Sequence, residues 1–195
     1  KPYVNVTLEG PDDGGDFGPG TLGTQTSGIQ EALEYAHFNH RDLYIWGGRG
    51  GMYDGEELPA NVYTLNETLR VPFSQDFVMG GGNYLLSYTK STGDAVVIDS
   101  QMNCRYKFGL VVSGSDGAAV RIKPETSGPD DFVVTTVSTF DFSAICSPGG
   151  LGTSKGAGLV IDSTGGPILN NKIIAEETST HRLGVYLTDG GGSGN

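Results

Sequence analysis

The sequence predicts an all-β protein, a parallel β-solenoid with one helix near its N-terminus. Four short segments resemble one another, each with a small first residue, a run of aliphatic residues and a polar end: 94–99 (DAVVID), 117–123 (GAAVRIK), 158–162 (GLVID) and 184–189 (GVYLTD). They begin about 24, 40 and 26 residues apart, and the sequence between them is rich in turn residues and lacks an amphipathic helix. A strand that recurs in this way is typical of stacked coils, each one turn of a solenoid.

The region before these segments predicts strands and the single helix. Residues 3–8 alternate between apolar and polar and indicate a short edge strand. Ser27 and Gln30 have the spacing of a capping box, and four apolar residues follow at helical spacing (Ile29, Ala32, Leu33 and Ala36), which predicts a helix over 27–37. Residues 42–46 form the next predicted strand, and 77–79 form another before Gly80.

The rest of the chain is assigned to coils. Residues 62–71 alternate and begin the first coil. Further strands at 105–112, 132–137 and 168–174 give each coil at least two strands. The 40-residue interval includes 139–153, which is rich in glycine and serine, so it holds either one coil with an inserted loop or two short coils.

Length and composition favour one domain. A chain of 195 residues supports one sizeable core, and its 32 glycines fit many tight turns. We expect 1–93 to form an N-terminal cap region with the edge strand, the helix and the first coil, and 94–195 to form the other coils. Residues 190–195 are polar and glycine-rich, so we expect the C-terminal coil to be uncapped and covered by another chain or another copy.

The net charge of −11 excludes several classes of partner. The few basic residues are scattered, which argues against nucleic acid and against anionic membrane surfaces. No apolar run is long enough to span a membrane. Carboxylates could hold Ca²⁺, the one cofactor that this composition suggests, although the same charge also serves solubility. Cys104 and Cys146 either form a disulfide across neighbouring coils or remain buried thiols.

The order of motifs resembles the start of pectin-lyase-like right-handed parallel β-helix proteins. The motifs are Asp16-Phe17-Gly18, a helix with Ile29-Gln30-Glu31-Ala32-Leu33, a Leu-Tyr-Ile strand, the strand at 62–71 ending before Pro72, and Val-Met-Gly-Gly-Gly at 78–82. The resemblance implies a right-handed β-helix whose open end is plugged by the helix. It further implies a secreted protein that acts on a polysaccharide by cleaving glycosidic bonds, as a hydrolase or a lyase. The alternative is a non-catalytic structural or carbohydrate-binding module, or one chain of a processed assembly.

Aspartates at strand ends are the first candidates for catalysis. Asp99, Asp162 and Asp189 close three of the four similar segments, and Lys123 closes the other. Stacked strands would align them in a column about 4.8 Å apart, and paired carboxylates serve glycosidases as acid and nucleophile or base. We therefore predict Asp162 and Asp189 as catalytic. An aspartate at a strand end is also the ordinary way to begin a turn, and this structural alternative stays open.

A mixed cluster on the last coil gives the remaining catalytic candidates. Glu176, His181 and Arg182 offer a base and a cation, which a lyase needs to remove a proton next to a carboxylate and to hold the enolate. Charged residues in a loop are otherwise solvated surface. Asn170 and Asn171 resemble the asparagines that stack at solenoid corners, a structural role.

Aromatic residues concentrate in the first half of the chain and could form a surface on which sugars stack. The set comprises Tyr44, Trp46, Tyr53, Tyr63, Tyr84 and Tyr88. Alternation along strands predicts that about half of them point into the core instead. His37 and His40 lie near the end of the predicted helix, where they favour its negative pole without any catalytic role.

Overall fold

The structure, a computed structural model, describes residues 3–48, 52–53, 56–57, 61–126, 133–148, 155–175, 178–179 and 183–188. This part of the chain is mainly β, with one α-helix, α1 (Ile29–Phe38), and a 3₁₀ turn at Gly10–Asp13. The strands are β1 (Tyr3–Val6), β2 (Asp42–Ile45), β3 (Met52–Tyr53), β4 (Glu56–Glu57), β5 (Asn61–Leu65), β6 (Leu69–Val71), β7 (Ser74–Gln75), β8 (Val78–Gly81), β9 (Tyr84–Tyr88), β10 (Val96–Ile98), β11 (Gln101–Met102), β12 (Arg105–Ser113), β13 (Ala118–Ile122), β14 (Thr135–Thr136), β15 (Thr139–Cys146), β16 (Ala157–Asp162), β17 (Ile168–Leu169), β18 (Lys172–Ala175), β19 (Thr178–Ser179) and β20 (Leu183–Thr188).

Three parallel sheets contain all these strands except the antiparallel pair β3–β4. Sheet I has the order β1-β2-β8-β12-β15-β18, and the long strands β12 and β15 also carry a second arm formed by β5, β9 and β19. Sheet II has the order β6-β10-β13-β16-β20, and sheet III the order β7-β11-β14-β17. From β6 onward the chain visits sheets II, III and I in the same order four times, then returns to sheet II at β20. We call one such round a repeat.

The four similar segments of the sequence are neighbours in sheet II, as predicted. Val96 pairs with Val120, Val120 with Leu159, and Leu159 with Val185, all in parallel register. Each repeat has strands in all three sheets, one more than the minimum expected from the sequence. Because each strand aligns with its counterpart from the previous repeat, the core is made of columns of similar side chains.

Two predicted strands are each divided by a corner. Residues 62–71 form β5 and β6 in different sheets, and residues 168–174 form β17 and β18 in different sheets. At the first corner, Leu65 and Leu69 are both buried, so the alternation keeps its phase through the bend. A pattern of period two therefore does not reveal that the chain changes sheets there.

The long interval between β13 and β16 is a single repeat, and the glycine- and serine-rich stretch is not simply a loop. Val120 lies directly beside Leu159, which leaves no room for two stacked repeats between them. The stretch predicted as a possible loop contains the eight-residue strand β15. Phe140, Phe142 and Ile145 are fully buried on its inner face. Burial of these side chains stabilises the strand despite the polar residues between them. Of the predicted strand 132–137, residues 133–137 are described, and only Thr135–Thr136 form a strand, β14.

Helix α1 covers the β6 end of the sheets. Its apolar face packs against β1, β2 and β6, and β1 lies at the edge of sheet I, as predicted. The Gln30 amide pairs with the free edge of β6: it donates to Arg70 O at 3.1 Å and accepts from Arg70 N at 2.9 Å. The predicted capping box is wrong, because Gly28 is the N-cap and the Thr26 hydroxyl accepts the Gln30 backbone N–H. Ser27 instead donates to Thr64 O.

Aromatic side chains stack from repeat to repeat inside the core. The rings of Tyr106 and Phe140 lie 5.5 Å apart and within 4° of parallel, and Phe108 stacks on Phe142 at 4.9 Å. Both pairs follow the register of β12 with β15. Similar residues at equivalent positions therefore bury each other.

The corner between sheets III and I is also repeated. Four residues occupy the left-handed backbone region there, each with φ between 52° and 55°: Asp76, Asn103, Val137 and Asn170. Beside them, Ser138 Oγ accepts the Cys104 N–H and Asn171 Oδ1 accepts the Ser138 N–H, at 3.0 and 2.8 Å. Asn171 therefore holds the corner through its side chain, whereas Asn170 is exposed and contributes only its left-handed backbone; an asparagine stack, as expected from the sequence, stays a prediction. No disulfide joins Cys104 and Cys146, so that alternative is wrong; Cys104 is buried and Cys146 is partly buried.

The last described strand of sheet II exposes apolar side chains. Val185 and Leu187 are 54% and 69% exposed, although they align with Leu159 and Ile161, which pack in the core. Leu169 on β17 is also exposed. The expectation that another chain or copy covers this coil stays a prediction.

Candidate functional site

Asp162 lies at the end of β16 and is held in a network of hydrogen bonds. Its Oδ1 accepts from the backbone N–H and the hydroxyl of Thr164, and its Oδ2 lies 3.2 Å from Arg121 Nη1. Burial by itself would raise the pKa of Asp162, but the Thr164 hydrogen bonds and the charges of Arg121 and Lys123 lower it overall. The anion is therefore favoured, which suits a turn and an ion pair better than proton donation.

Arg121 joins two repeats through that ion pair. Its Nε and Nη2 contact the two carboxylate oxygens of Asp94 at 2.6 and 3.2 Å, while Nη1 reaches Asp162. Asp94 Oδ1 also accepts the Ala118 N–H. The two carboxylates are thereby bridged by one guanidinium rather than placed side by side in an open groove.

The predicted aspartate column alternates in charge in the described residues. Ile98 pairs with Ile122 and Ile122 with Ile161, so the next residues, Asp99, Lys123 and Asp162, align across the sheet. Asp162 pairs with Thr188, one residue before Asp189. The other predicted catalytic residues lie outside the described residues: Glu176, His181, Arg182 and Asp189.

Asp99 anchors a loop. Its Oδ1 accepts the backbone N–H groups of Ser100, Glu125 and Thr126 at 2.6 to 2.9 Å, and its Oδ2 accepts the Thr126 hydroxyl. Burial would raise its pKa, but these hydrogen bonds lower it overall. Asp99 and Asp162 thus both use their oxygens to fix local backbone.

One cavity, of about 440 Å³, separates the end of α1 from the corner after β7. His37, His40 and Arg41 line one side, while Asp42 and Asp76 line the other. Both aspartates are occupied: Asp42 accepts the Val78 N–H, and Asp76 accepts the Asn103 amide. Phe73, which is partly buried, and Phe77, which is buried, complete the lining, so this cavity lacks an aromatic ring exposed to the extent of Trp46.

The second cavity, of about 410 Å³, lies at the carboxyl end of β2 beside Trp46. Leu43 and Ile45 of β2 are fully buried, so alternation turns Tyr44 and Trp46 outward. Trp46 is 51% exposed, and its ring meets the Tyr44 ring edge-on at 5.3 Å. Gly80 faces Tyr44 across the strand pair, and a side chain there would collide with the Tyr44 ring.

Polar side chains surround the indole. The cavity is lined by Asn5, Thr7, Asp13, Gly14, Trp46, Gly47 and Asn61, and we call it the Trp46 cavity. Trp46 Nε1 donates to Asn5 Oδ1 at 3.2 Å, and Trp46 O accepts from Asn61 Nδ2 and from the Tyr63 hydroxyl at 3.0 and 2.7 Å. The Asn5 hydrogen bond orients the indole itself, and the two bonds to Trp46 O hold the backbone that carries it, so the exposed ring is preorganised.

The Asp13 carboxylate is the one charged group among the residues that line this cavity. It follows the 3₁₀ turn, and its Oδ1 accepts the Thr7 hydroxyl. Burial is the main cause that raises the pKa of Tyr63 to about 12. The hydrogen bond with Asn61 lowers this pKa, and the negative charge of Asp13 raises it.

Sequence analysis found the aromatic residues of this site but missed its polar ones. Of the six aromatic residues singled out, Tyr63, Tyr84 and Tyr88 are buried, Tyr44 is partly exposed and Trp46 is exposed. The side chain of Tyr53 lies outside the described part of the structure. Asn5, Thr7, Asp13 and Asn61 come from three segments that are distant in sequence, and no local pattern connects them.

No group of three or more His, Cys, Asp or Glu residues suited to a metal occurs in the described part of the chain. Within the same residues, no helix is long and apolar enough to cross a membrane. Comparison with protein-family models, with curated proteins and with solved structures finds no match to this chain. The case for a function consequently depends on the geometry of its own residues.

Proposed function

We propose that this protein is a secreted right-handed parallel β-helix of the pectin-lyase-like kind, and that it binds a polysaccharide at the Trp46 cavity. The fold proposal is supported by four rounds through three parallel sheets in constant order and by a helix over one end. The function rests on one observation: an exposed, fixed indole stands beside a cavity lined with amide, hydroxyl and carboxylate groups. Aromatic planes match the apolar face of a sugar ring, and the polar groups match its hydroxyls.

Binding without cleavage is the function that the described residues favour. A glycosidase needs one carboxylic acid with a raised pKa, about 5 to 9 Å from a second carboxylate in a groove. The pKa values of Asp99 and Asp162 are instead lowered, and both side chains are occupied by backbone and ion-pair contacts. Cleavage by Asp162, Asp189, Glu176, His181 and Arg182 stays a prediction.

Trp46 offers a direct test, because it is the single tryptophan of the chain. Titration with neutral and acidic plant and bacterial oligosaccharides should change its fluorescence if the sugar stacks on the indole. Calorimetry on Trp46→Ala should then show affinity reduced about tenfold or more, equivalent to about 1.4 kcal/mol. Phe38→Ala is the matched control, since Phe38 is 84% exposed on α1 and does not line the cavity.

Two outcomes would contradict the proposal. One is the absence of any fluorescence or calorimetric response across the panel. The other is binding that Trp46→Ala leaves unchanged while Phe38→Ala weakens it. Circular dichroism of both variants should match that of the unmodified protein, which shows that the fold is retained.

A further inference from the structure

The charge lining the Trp46 cavity selects among sugars. Its described lining contains one anion, Asp13, together with two amides and a hydroxyl from Asn5, Asn61 and Thr7, and contains no lysine, arginine or histidine. A sugar carboxylate placed here would meet the Asp13 carboxylate without a cation to offset it. At short range in partly desolvated surroundings, like charges repel appreciably.

The surroundings strengthen this effect. The whole chain has a net charge of −11, so its overall electrostatic field disfavours an anionic ligand. On the outer face of sheet I, Lys107 is aligned two strands from Tyr44, about 10 Å away, and it is itself paired in register with Asp141. His37, His40 and Arg41 line the other cavity, at the end of α1.

From these observations we infer that the Trp46 cavity takes uncharged sugars and disfavours uronic acids, with Asp13 as the residue that determines this selectivity. The inference rests on the proposed sugar-binding function and narrows it to a substrate class. Amide and hydroxyl groups can both donate to and accept from sugar hydroxyls, whereas the Asp13 carboxylate can only accept. A neutral sugar hydroxyl can donate to Asp13, but a uronate carboxylate cannot donate to it.

The test uses pairs of tetrasaccharides that differ only in bearing CH₂OH or COO⁻ at C6, in the gluco, galacto and manno series. Affinities are measured by Trp46 fluorescence at low and at physiological ionic strength. We expect the neutral member of at least one pair to bind about tenfold or more tightly than its acidic partner. The ratio should shrink as salt rises, because screening weakens the repulsion.

Asp13→Asn should reduce the ratio of neutral to acidic tetrasaccharide affinity by about three- to tenfold. The matched control is Asp12→Asn, which removes the same charge one residue earlier, from a side chain that does not line the cavity, and should leave the ratio unchanged. Equal or tighter binding of the acidic members, or a ratio that Asp13→Asn and Asp12→Asn change equally, would overturn the inference while sugar binding stands. If no member of any pair binds, the proposed function fails and this selectivity fails with it.

Discussion

The Asn103 amide donates to Asp76 Oδ1 at 2.6 Å, and both residues have a φ of 55°. They occupy equivalent corners of successive repeats, followed by Val137 at 52° and Asn170 at 54°. Asparagine and aspartate tolerate the left-handed region, whereas a β-branched residue is strained there. Val137 is 60% exposed, so core packing does not explain its presence at this corner.

Replacing Val137 with asparagine should therefore stabilise the protein by about 1 kcal/mol, because the strain falls and the amide can join its neighbours. Chemical denaturation monitored by circular dichroism should show a higher midpoint. Val62→Asn is the control: Val62 is 48% exposed on β5 and has ordinary strand geometry, so the change should be neutral or destabilising. A lower midpoint for Val137→Asn would contradict this account of the corner.

Ser100→Ala should be neutral or stabilising by up to about 1 kcal/mol. Ser100 is fully buried, and its hydroxyl is the one buried side-chain polar atom without a hydrogen bond in the described part of the chain. Removing an unpaired buried hydroxyl relieves its desolvation. Ser138→Ala should instead cost about 1 to 2 kcal/mol, because the Ser138 hydroxyl bonds to Cys104 N and Thr136 O. Equal losses of stability in Ser100→Ala and Ser138→Ala would contradict this account of the two hydroxyls.

Arg121→Met should destabilise the protein by about 2 kcal/mol. The change leaves the largely buried carboxylates of Asp94 and Asp162 without their shared cation, and their repulsion then acts between repeats. Lys123→Met is the control, since its partner Glu125 is more than half exposed and such a pair contributes little. Denaturant midpoints of both variants provide the comparison, and a smaller effect for Arg121 than for Lys123 would disprove the bridging role.

Asp99 should make folding sensitive to acid. Its folded-state pKa lies below the ordinary value of about 3.9, so its stabilisation is complete above that pH and is lost as pH falls further. Asp99→Asn should lose about 1 kcal/mol at neutral pH and show a flatter decline of stability between pH 4 and pH 2. Asp12→Asn, at a carboxylate without a hydrogen bond from any described residue, should leave the profile unchanged. An unaltered profile for Asp99→Asn would show that its contacts do not support folding.

Self-association tests the expectation that another copy covers the C-terminal coil. Burial of Val185 and Leu187 favours a pair of chains, so sedimentation equilibrium should give twice the monomer mass at high concentration. Val185→Lys with Leu187→Lys should shift the mass to that of the monomer, while Val62→Lys should not. A monomer mass at every concentration would contradict the expected association.

The sequence alone predicted a strand or helix correctly wherever the spacing of apolar residues within that element defines it. The four similar segments and the position of α1 both depend on periodicity within a few residues, whereas alternation predicted only that about half of the aromatic residues point into the core. The corners at 66–68 and at Asn170 were missed because the apolar residues on either side of two short polar stretches, 66–68 and 170–172, were joined into single predicted strands. Strand β15 was missed because its buried Phe140 and Phe142 are separated by polar residues on the outer face, which gave the stretch the composition of a loop.

The sequence by itself determined that similar strands recur and that one helix precedes them, since both follow from local spacing of apolar side chains. Only the tertiary structure decided that Asp162 faces Arg121 and that Asn5, Asp13 and Asn61 meet around Trp46. Those contacts join residues up to 56 positions apart, as Asn5 and Asn61 illustrate. Their positions are fixed by strand register and by the turns between sheets, which no single segment of the chain specifies.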